Sequence, residues 1–194
     1  MHMLLGAIVS FEQLIERARA QPGKVTYGII GSGSVYHLLG KWIENCAGID
    51  MVAVPYRGSA AVFTDVAGGR IDAMIDTATS AMPRIRNGQF RPLAVSSPER
   101  YPLIQQTPTM AETVDGVKLM SWLGLAAPAR TPRAIVDRLN SELRGVLDLP
   151  DVKQWLAESG VLAAPSSSEE LKQRIEREIK LYSDIAQANG MKAE

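Results

Sequence analysis

Three short stretches of this chain combine small, hydroxylic and charged residues of the kinds that hold anions. Gly31-Ser32-Gly33-Ser34 stands before an amphipathic stretch, so its backbone N–H groups and two hydroxyls sit where a helix start meets a carboxylate or phosphate. The same residues also make an ordinary tight turn with Ser34 capping the helix, and both readings fit the pattern. Tyr56-Arg57-Gly58-Ser59-Ala60 repeats the arrangement beside a phenol and a guanidinium that suits a carboxylate, or it is a solvated turn. Asp76-Thr77 closes an apolar run where an aspartate reads a ligand amine or hydroxyl, or caps the next helix. The candidate binding set is Ser32, Gly33, Ser34, Tyr56, Arg57, Gly58, Ser59, Ala60, Asp76 and Thr77, with no catalytic residue, no metal ligand and no cofactor.

Other chemistries fit less well. The third glycine of a dinucleotide fingerprint would fall at Tyr36, and no Gly-Lys-Ser/Thr completes a phosphate loop. Ser34 and His37 lie three apart, but neighbours on one helical turn rarely align a hydroxyl with an imidazole, and no third group orients the pair. His37 reads instead as a structural hydrogen-bond partner. One cysteine, Cys46, and two histidines, His2 and His37, provide neither a disulfide framework nor a Cys/His metal cluster. With 21 Lys and Arg against 21 Asp and Glu there is no net field to draw nucleic acid, so a charged ligand must be recognised locally. The longest apolar run, Met3 to Val9, is far shorter than the ~18–20 residues that span a bilayer, and the chain as written is read without an export signal or membrane anchor.

These stretches need elements to position them. Met3 to Val9 is a possible strand. Ser10 opens a helix with Gln13 completing a capping box and Leu14, Ile15 and Ala18 on one face, and Pro22-Gly23 ends it. Val25 to Ile30 predicts a strand running into the first Gly/Ser turn, and Leu38, Leu39, Trp42, Ile43 and Cys46 recur at helical spacing after it. Met51 to Val54, its turn and a helix bearing Val62, Phe63 and Val66 repeat the unit, stopped by Gly68-Gly69. Ile71 to Ile75, the Asp76-Thr77 turn and a helix to Arg86 make a third copy, and Leu93 to Val95 a further strand. Alternation of this kind predicts an α/β fold whose parallel-rich sheet carries helices on both faces, with ligands beyond the carboxyl ends of the strands. Asp65 and Asp72 look solvent-facing, and Trp42, Trp122 and Trp155 look like core.

Ser96 to Gly116 reads as an ordered loop, because apolar residues recur through it, and Leu119 to Ala126 as a strand. Three helices follow. One is capped by Thr131 with Pro132 at its first position and turns Ile135, Val136, Leu139, Leu143, Val146 and Leu147 inward; one is short, around Trp155; one is opened by the Ser167/Glu170 capping box. The last third is thus mainly helical, with too little sheet for a complete α/β domain.

In order along the chain, Pro22-Gly23-Lys24 to Tyr27, Gly31-Ser32-Gly33-Ser34 to His37-Leu38, Val54-Pro55-Tyr56-Arg57-Gly58-Ser59-Ala60, Gly68-Gly69-Arg70-Ile71-Asp72, Leu93-Ala94-Val95, Pro108-Thr109-Met110-Ala111-Glu112 and Ser121-Trp122-Leu123-Gly124 resemble the substrate-binding receptors of tripartite tricarboxylate transporters, the Bug or TctC-like family. The resemblance runs from about Ser10 to the C-terminus. It implies a two-lobed periplasmic-binding-protein-like fold (type II), periplasmic location, no turnover, and delivery of a small organic carboxylate to membrane transporter subunits. That ligand would be a di- or tricarboxylate, an acidic amino acid or an aromatic acid. In the family it is held by amides and hydroxyls of interlobe loops, which here correspond to Ser32 to Ser34, Tyr56 to Ala60, and Asp76 with Thr77. Departures are Ile29 and Ile30 where small polar residues are usual, Arg57 for a common Lys, and Thr77 for a common Asn.

By the same resemblance, residues 10–117 form an essentially whole ligand-binding lobe, while 1–9 and 118–194 are a remnant of the other lobe, most of which has no counterpart here. Helices that normally pack on that lobe would expose apolar faces, which predicts a homodimer, an exchanged element or a shifted packing, and weakened binding. The alternative host of this fold is the effector-sensing domain of a LysR-like regulator, which needs a helix-turn-helix; nothing before Ser10 reads as one. A small hydrolase using Ser34 and His37 is a third reading.

Overall fold

The computed structural model describes the main chain of His2 and Met3 and all of residues 8–191. The chain divides into two compact units, Met1–Met120 with Ile185–Glu194, and Ser121–Asp184.

The first unit is built on strands β1 (His2–Met3), β2 (Thr26–Ile30), β3 (Val52–Tyr56), β4 (Ala73–Met74) and β5 (Arg91–Pro92) in the order β3-β2-β4-β1-β5. Strand β2 pairs in parallel with β3 on one side and β4 on the other, whereas β1 runs antiparallel to both β4 and β5. The sheet is therefore parallel except for β1. Of the expected strand Met3 to Val9, Leu4 to Ala7 lie outside the described residues.

Helices α1 (Phe11–Ala20), α2 (Val35–Ala47), α3 (Ser59–Ala67) and α4 (Ala78–Arg86) link these strands. The start of α1 follows the sequence closely: Ser10 Oγ accepts the Gln13 N–H, while the Gln13 side chain accepts from Val9 N–H, one residue before the cap. Phe11, Leu14, Ile15 and Ala18 are its buried face. Strand β2 is an interior strand, between β3 and β4, and is buried at three successive positions, as a strand covered on both faces must be. Two glycines let the helices close on it. A Cβ on Gly28 would collide with Val62 of α3 and with Ile71, and one on Gly40 of α2 would collide with the Tyr27 ring. Since residues 27 and 28 point to opposite sides of a strand, α2 and α3 cover opposite faces.

The face under α3 is filled by Val62, Phe63, Val66, Ile71, Met74, Ala81 and Phe90, with Phe63 and Phe90 edge-to-face at 4.8 Å and the Arg84 guanidinium 3.9 Å over Phe63. Each large side chain fully buried there contributes roughly 1.5–3 kcal/mol. Asp65 and Asp72, expected to face solvent, are anchors instead. Asp72 accepts from the N–H and hydroxyl of Thr26 at 2.9 and 2.8 Å and pairs with Arg17, tying β2 to the approach of β4. Asp65 accepts from Tyr56 and Arg70.

Ser96 to Gly116 is ordered as expected. Val95 bridges to Thr109, and Thr109 with Glu112 forms a capping box at the short turn Met110–Glu112. The last ladder strand sits earlier than expected, at Arg91–Pro92, with Leu93 and Ala94 buried just beyond it. Leu119 to Ala126 is not a strand: Leu119 N–H reaches Ser96 C=O, and no ladder continues.

The second unit holds α5 (Arg133–Asp148), α6 (Pro150–Glu158) and most of α7 (Ser168–Ala188). Ser167 and Glu170 cap α7 reciprocally, as the sequence predicts. Thr131 does not cap α5; Pro132, at ψ 137°, is the flanking residue, and helical geometry begins one residue later. The Trp122 indole donates to Glu178, which also receives Arg174 and Tyr182. Neither α5 nor α6 carries a buried residue: Leu139 is 58% exposed and Trp155 65% exposed, so Trp155 is not core.

Candidate functional site

Register brings the three predicted turns together. Ile30 pairs with Tyr56 across β2 and β3, and Gly28 pairs with Met74 across β2 and β4, so two residues further on Asp76 stands level with Ile30. The ladders run on at Gly31 N–H to Tyr56 C=O (3.0 Å) and Ile75 N–H to Gly28 C=O (3.1 Å). Three neighbouring strands, each ~4.8 Å from the next, thus finish at one edge. From β2 the chain steps to β3 and then crosses to β4 on the far side, so the order reverses at β2, the position where open α/β sheets form a ligand crevice.

Each strand feeds a helix at that edge. Gly31 and Gly33 adopt positive φ of 79° and 70°, which turns the chain within four residues, and Ser34 Oγ accepts the His37 N–H to cap α2. Helix α3 starts at Gly58 with no side-chain cap, leaving its first amides without an intrahelical partner. Thr77 caps α4 through Ser80 N–H. The N-termini of α2, α3 and α4, each equivalent to about half a positive charge, therefore lie along one edge.

Side chains at the edge divide by what already engages them. Ser32 and Gly33 are exposed, and Gly33 N–H donates to His37 Nδ1 at 3.3 Å. The imidazole is thus bonded to an amide and not to the Ser34 hydroxyl, and His37 is the structural partner the sequence implies. Its pKa is lowered by burial and by Lys41, partly opposed by Glu44. The Tyr56 phenol turns away, donating to Asp65 at 2.6 Å; burial first, then that bond and the Asp65 charge, push its pKa up to about 12. What Tyr56 brings to the edge is therefore main chain, not a free hydroxyl. Arg57 is exposed, and among the described residues nothing pairs with its guanidinium. Ser59 is half-buried and Ala60 exposed at the open start of α3.

Asp76 is not the cap itself. Its carboxylate accepts from Thr77 N–H at 2.7 Å and Ser80 Oγ at 2.6 Å, with Thr77 as the cap. Tyr36 and Ser80 are the edge residues that the sequence reading missed. Burial and the Asp76 charge raise the Tyr36 pKa, which puts that phenol near the third turn. A serine four residues after a turn aspartate was the only available hint of Ser80. The arrangement as a whole offers amides, hydroxyls and one unpaired cation to an anion with several oxygens.

Known proteins resemble the chain in both sequence and fold. The signature of the tripartite tricarboxylate transporter family receptors matches residues 7–191. The chain is 37% identical over 161 residues to a UPF0065 protein in the tcbD-tcbE intergenic region of Pseudomonas sp. (strain P51), covering 82% of this chain and 48% of that protein. It is 28% identical to protein BugT of Bordetella pertussis, covering 94% and 56%. Among solved structures, R. palustris Rpa4515 with adipate superposes with a TM-score of 0.87 at 32% identity, over 97% of this chain and 64% of that one. MatC from Rhodopseudomonas palustris with bound malate gives 0.75 at 26%, over 91% and 61%. The chain spans about half the length of these two curated relatives. With the signature matched over nearly its whole length, the chain belongs to the tripartite tricarboxylate transporter family receptors.

Proposed function

We propose that the chain is a solute receptor that holds a small organic carboxylate at the β2–β3–β4 edge and performs no turnover. The observation that carries this reading is the register that ends three parallel strands level, each followed at once by a helix N-terminus. Ser32, Gly33, Ser34, Gly58, Ser59, Ala60 and Thr77 supply amides and hydroxyls, Tyr56 supplies main chain, and Arg57 pairs with a carboxylate. Asp76 selects for a donor on the ligand. Support comes from family membership and from relatives solved with adipate and with malate.

Residues 10–117 are the ligand-binding lobe in this reading, and 1–9 with 118–194 part of a second. The receptor works in the periplasm and hands its ligand to transporter subunits of the membrane. A second copy covers the exposed apolar faces of α5 to α7. Thermal-shift and calorimetric titration with adipate, malate, glutamate and benzoate tests it. The expected result is a melting rise with some of these acids and none with their amides; a flat response from folded protein would end the carboxylate reading.

A further inference from the structure

The first turn has an internal competitor for the anion it is read to bind. Gly33 N–H, at an exposed turn, is held by His37 Nδ1. That bond requires an unprotonated Nδ1, because an imidazolium only donates. We propose that His37 is a positioning residue gated by a proton: neutral, it withholds the Gly33 amide from the carboxylate, and protonated, it releases that amide and adds a cation beside it.

The geometry limits the alternatives open to the ring. The His37 N–H is fixed by Ser34 Oγ at 3.4 Å, so the side chain leaves a backbone anchored at the cap, and Nδ1 reaches back over one turn to Gly33. Protonation turns this attraction into two donors facing each other, and the turn can relax only by freeing Gly33 or rotating the imidazole outward. Gly33, at positive φ with open space where a Cβ would stand, accommodates that change without collision. On α2 the charged groups around the ring are Lys41 and Glu44. Glu44 is buried and already held by Lys41 at 2.6 Å and by the Tyr27 hydroxyl of β2 at 3.2 Å. Across the edge stand Asp76, whose charge acts on neighbouring Tyr36, and unpaired Arg57. Burial and then Lys41 lower the His37 pKa, so the ring stays neutral to a more acidic pH than a free imidazole and the gate opens only below the ordinary 6.5. Binding and protonation are reciprocal: each makes the other more favourable.

The inference rests on the carboxylate reading, and the test separates the two. Adipate affinity is measured by calorimetry from pH 7.5 to 5.5 for the wild type, His37→Gln and His37→Ala. Gln keeps an acceptor for Gly33 but takes no proton, so it also corrects for protonation of adipate itself. Relative to His37→Gln, the wild type is expected to tighten on the order of tenfold across this range, the worth of one charge-assisted hydrogen bond. His37→Ala, with the amide always free, should bind adipate more tightly than His37→Gln at pH 7.5. Nitrogen-15 spectra of the imidazole, simple in a chain with two histidines, should show the Nε2–H tautomer without ligand and a His37 pKa raised by adipate. A wild type that follows His37→Gln at every pH, or a neutral ring protonated at Nδ1, overturns the gate while leaving the receptor intact. Absence of adipate, malate, glutamate and benzoate binding in all three proteins overturns both.

Discussion

Tyr56 and Arg57 adjoin in sequence, yet the phenol is committed to Asp65 inside the unit while the guanidinium stands in solvent. Their substitutions should therefore separate stability from binding. Tyr56→Phe should lower unfolding free energy by about 1 kcal/mol and leave adipate affinity within twofold, measured by urea denaturation and calorimetry. Arg57→Ala should change stability by less than about 0.5 kcal/mol and weaken adipate binding roughly tenfold. At another residue pair, the hydrogen bonds from Arg100 and Thr109 pull the Glu112 carboxyl down to about 2, against 4.5 for a free side chain. A depressed carboxylate pKa stabilises the fold above pH 4.5, and that contribution is lost as pH falls toward 2. Urea midpoints between pH 6 and 2 should fall less steeply for Arg100→Gln than for the wild type.

At the scale of elements, what could be read in the sequence was what side chains decide locally. Ser10, Ser34 and the Ser167/Glu170 pair stand where their caps are observed, because a cap needs only its own turn, whereas the cap expected at Asp76 falls to Thr77. Strands depend on partners that the sequence does not display. Leu119, Leu123 and Leu125 fall at alternating positions as in a strand, but beyond the single bond from Leu119 N–H to Ser96 C=O no ladder forms among the described residues, and Leu123 is 94% exposed. Thr131 failed as a cap because Pro132 keeps an extended ψ and moves the helix start past it. The roles of Asp65 and Asp72 were hidden for the same reason: each bonds a residue of another element brought near by folding. Gly40 was also silent in sequence, and it sets how closely α2 lies on β2 beneath the first turn. Gly40→Ala should cost about 1–3 kcal/mol by overpacking against Tyr27, seen as an earlier urea midpoint with an unchanged slope.

For the molecule as a whole, the sequence reading anticipated mainly helical structure in the last third and apolar faces left uncovered. Ile135, Leu139, Val146, Ile175 and Ile179 are each more than a third exposed. Sedimentation velocity should find concentration-dependent dimers, reduced by Ile179→Glu; a monomer throughout would remove the second copy from the account. The central claim, that three turns at one sheet edge share one anion, is tested most directly by an amide nitrogen-15 titration with adipate. The account predicts that Ser32, Ser34, Ser59, Ala60 and Thr77 shift together along a single binding curve. Shifts confined to one turn, or gathered on the opposite edge of the sheet, would contradict it.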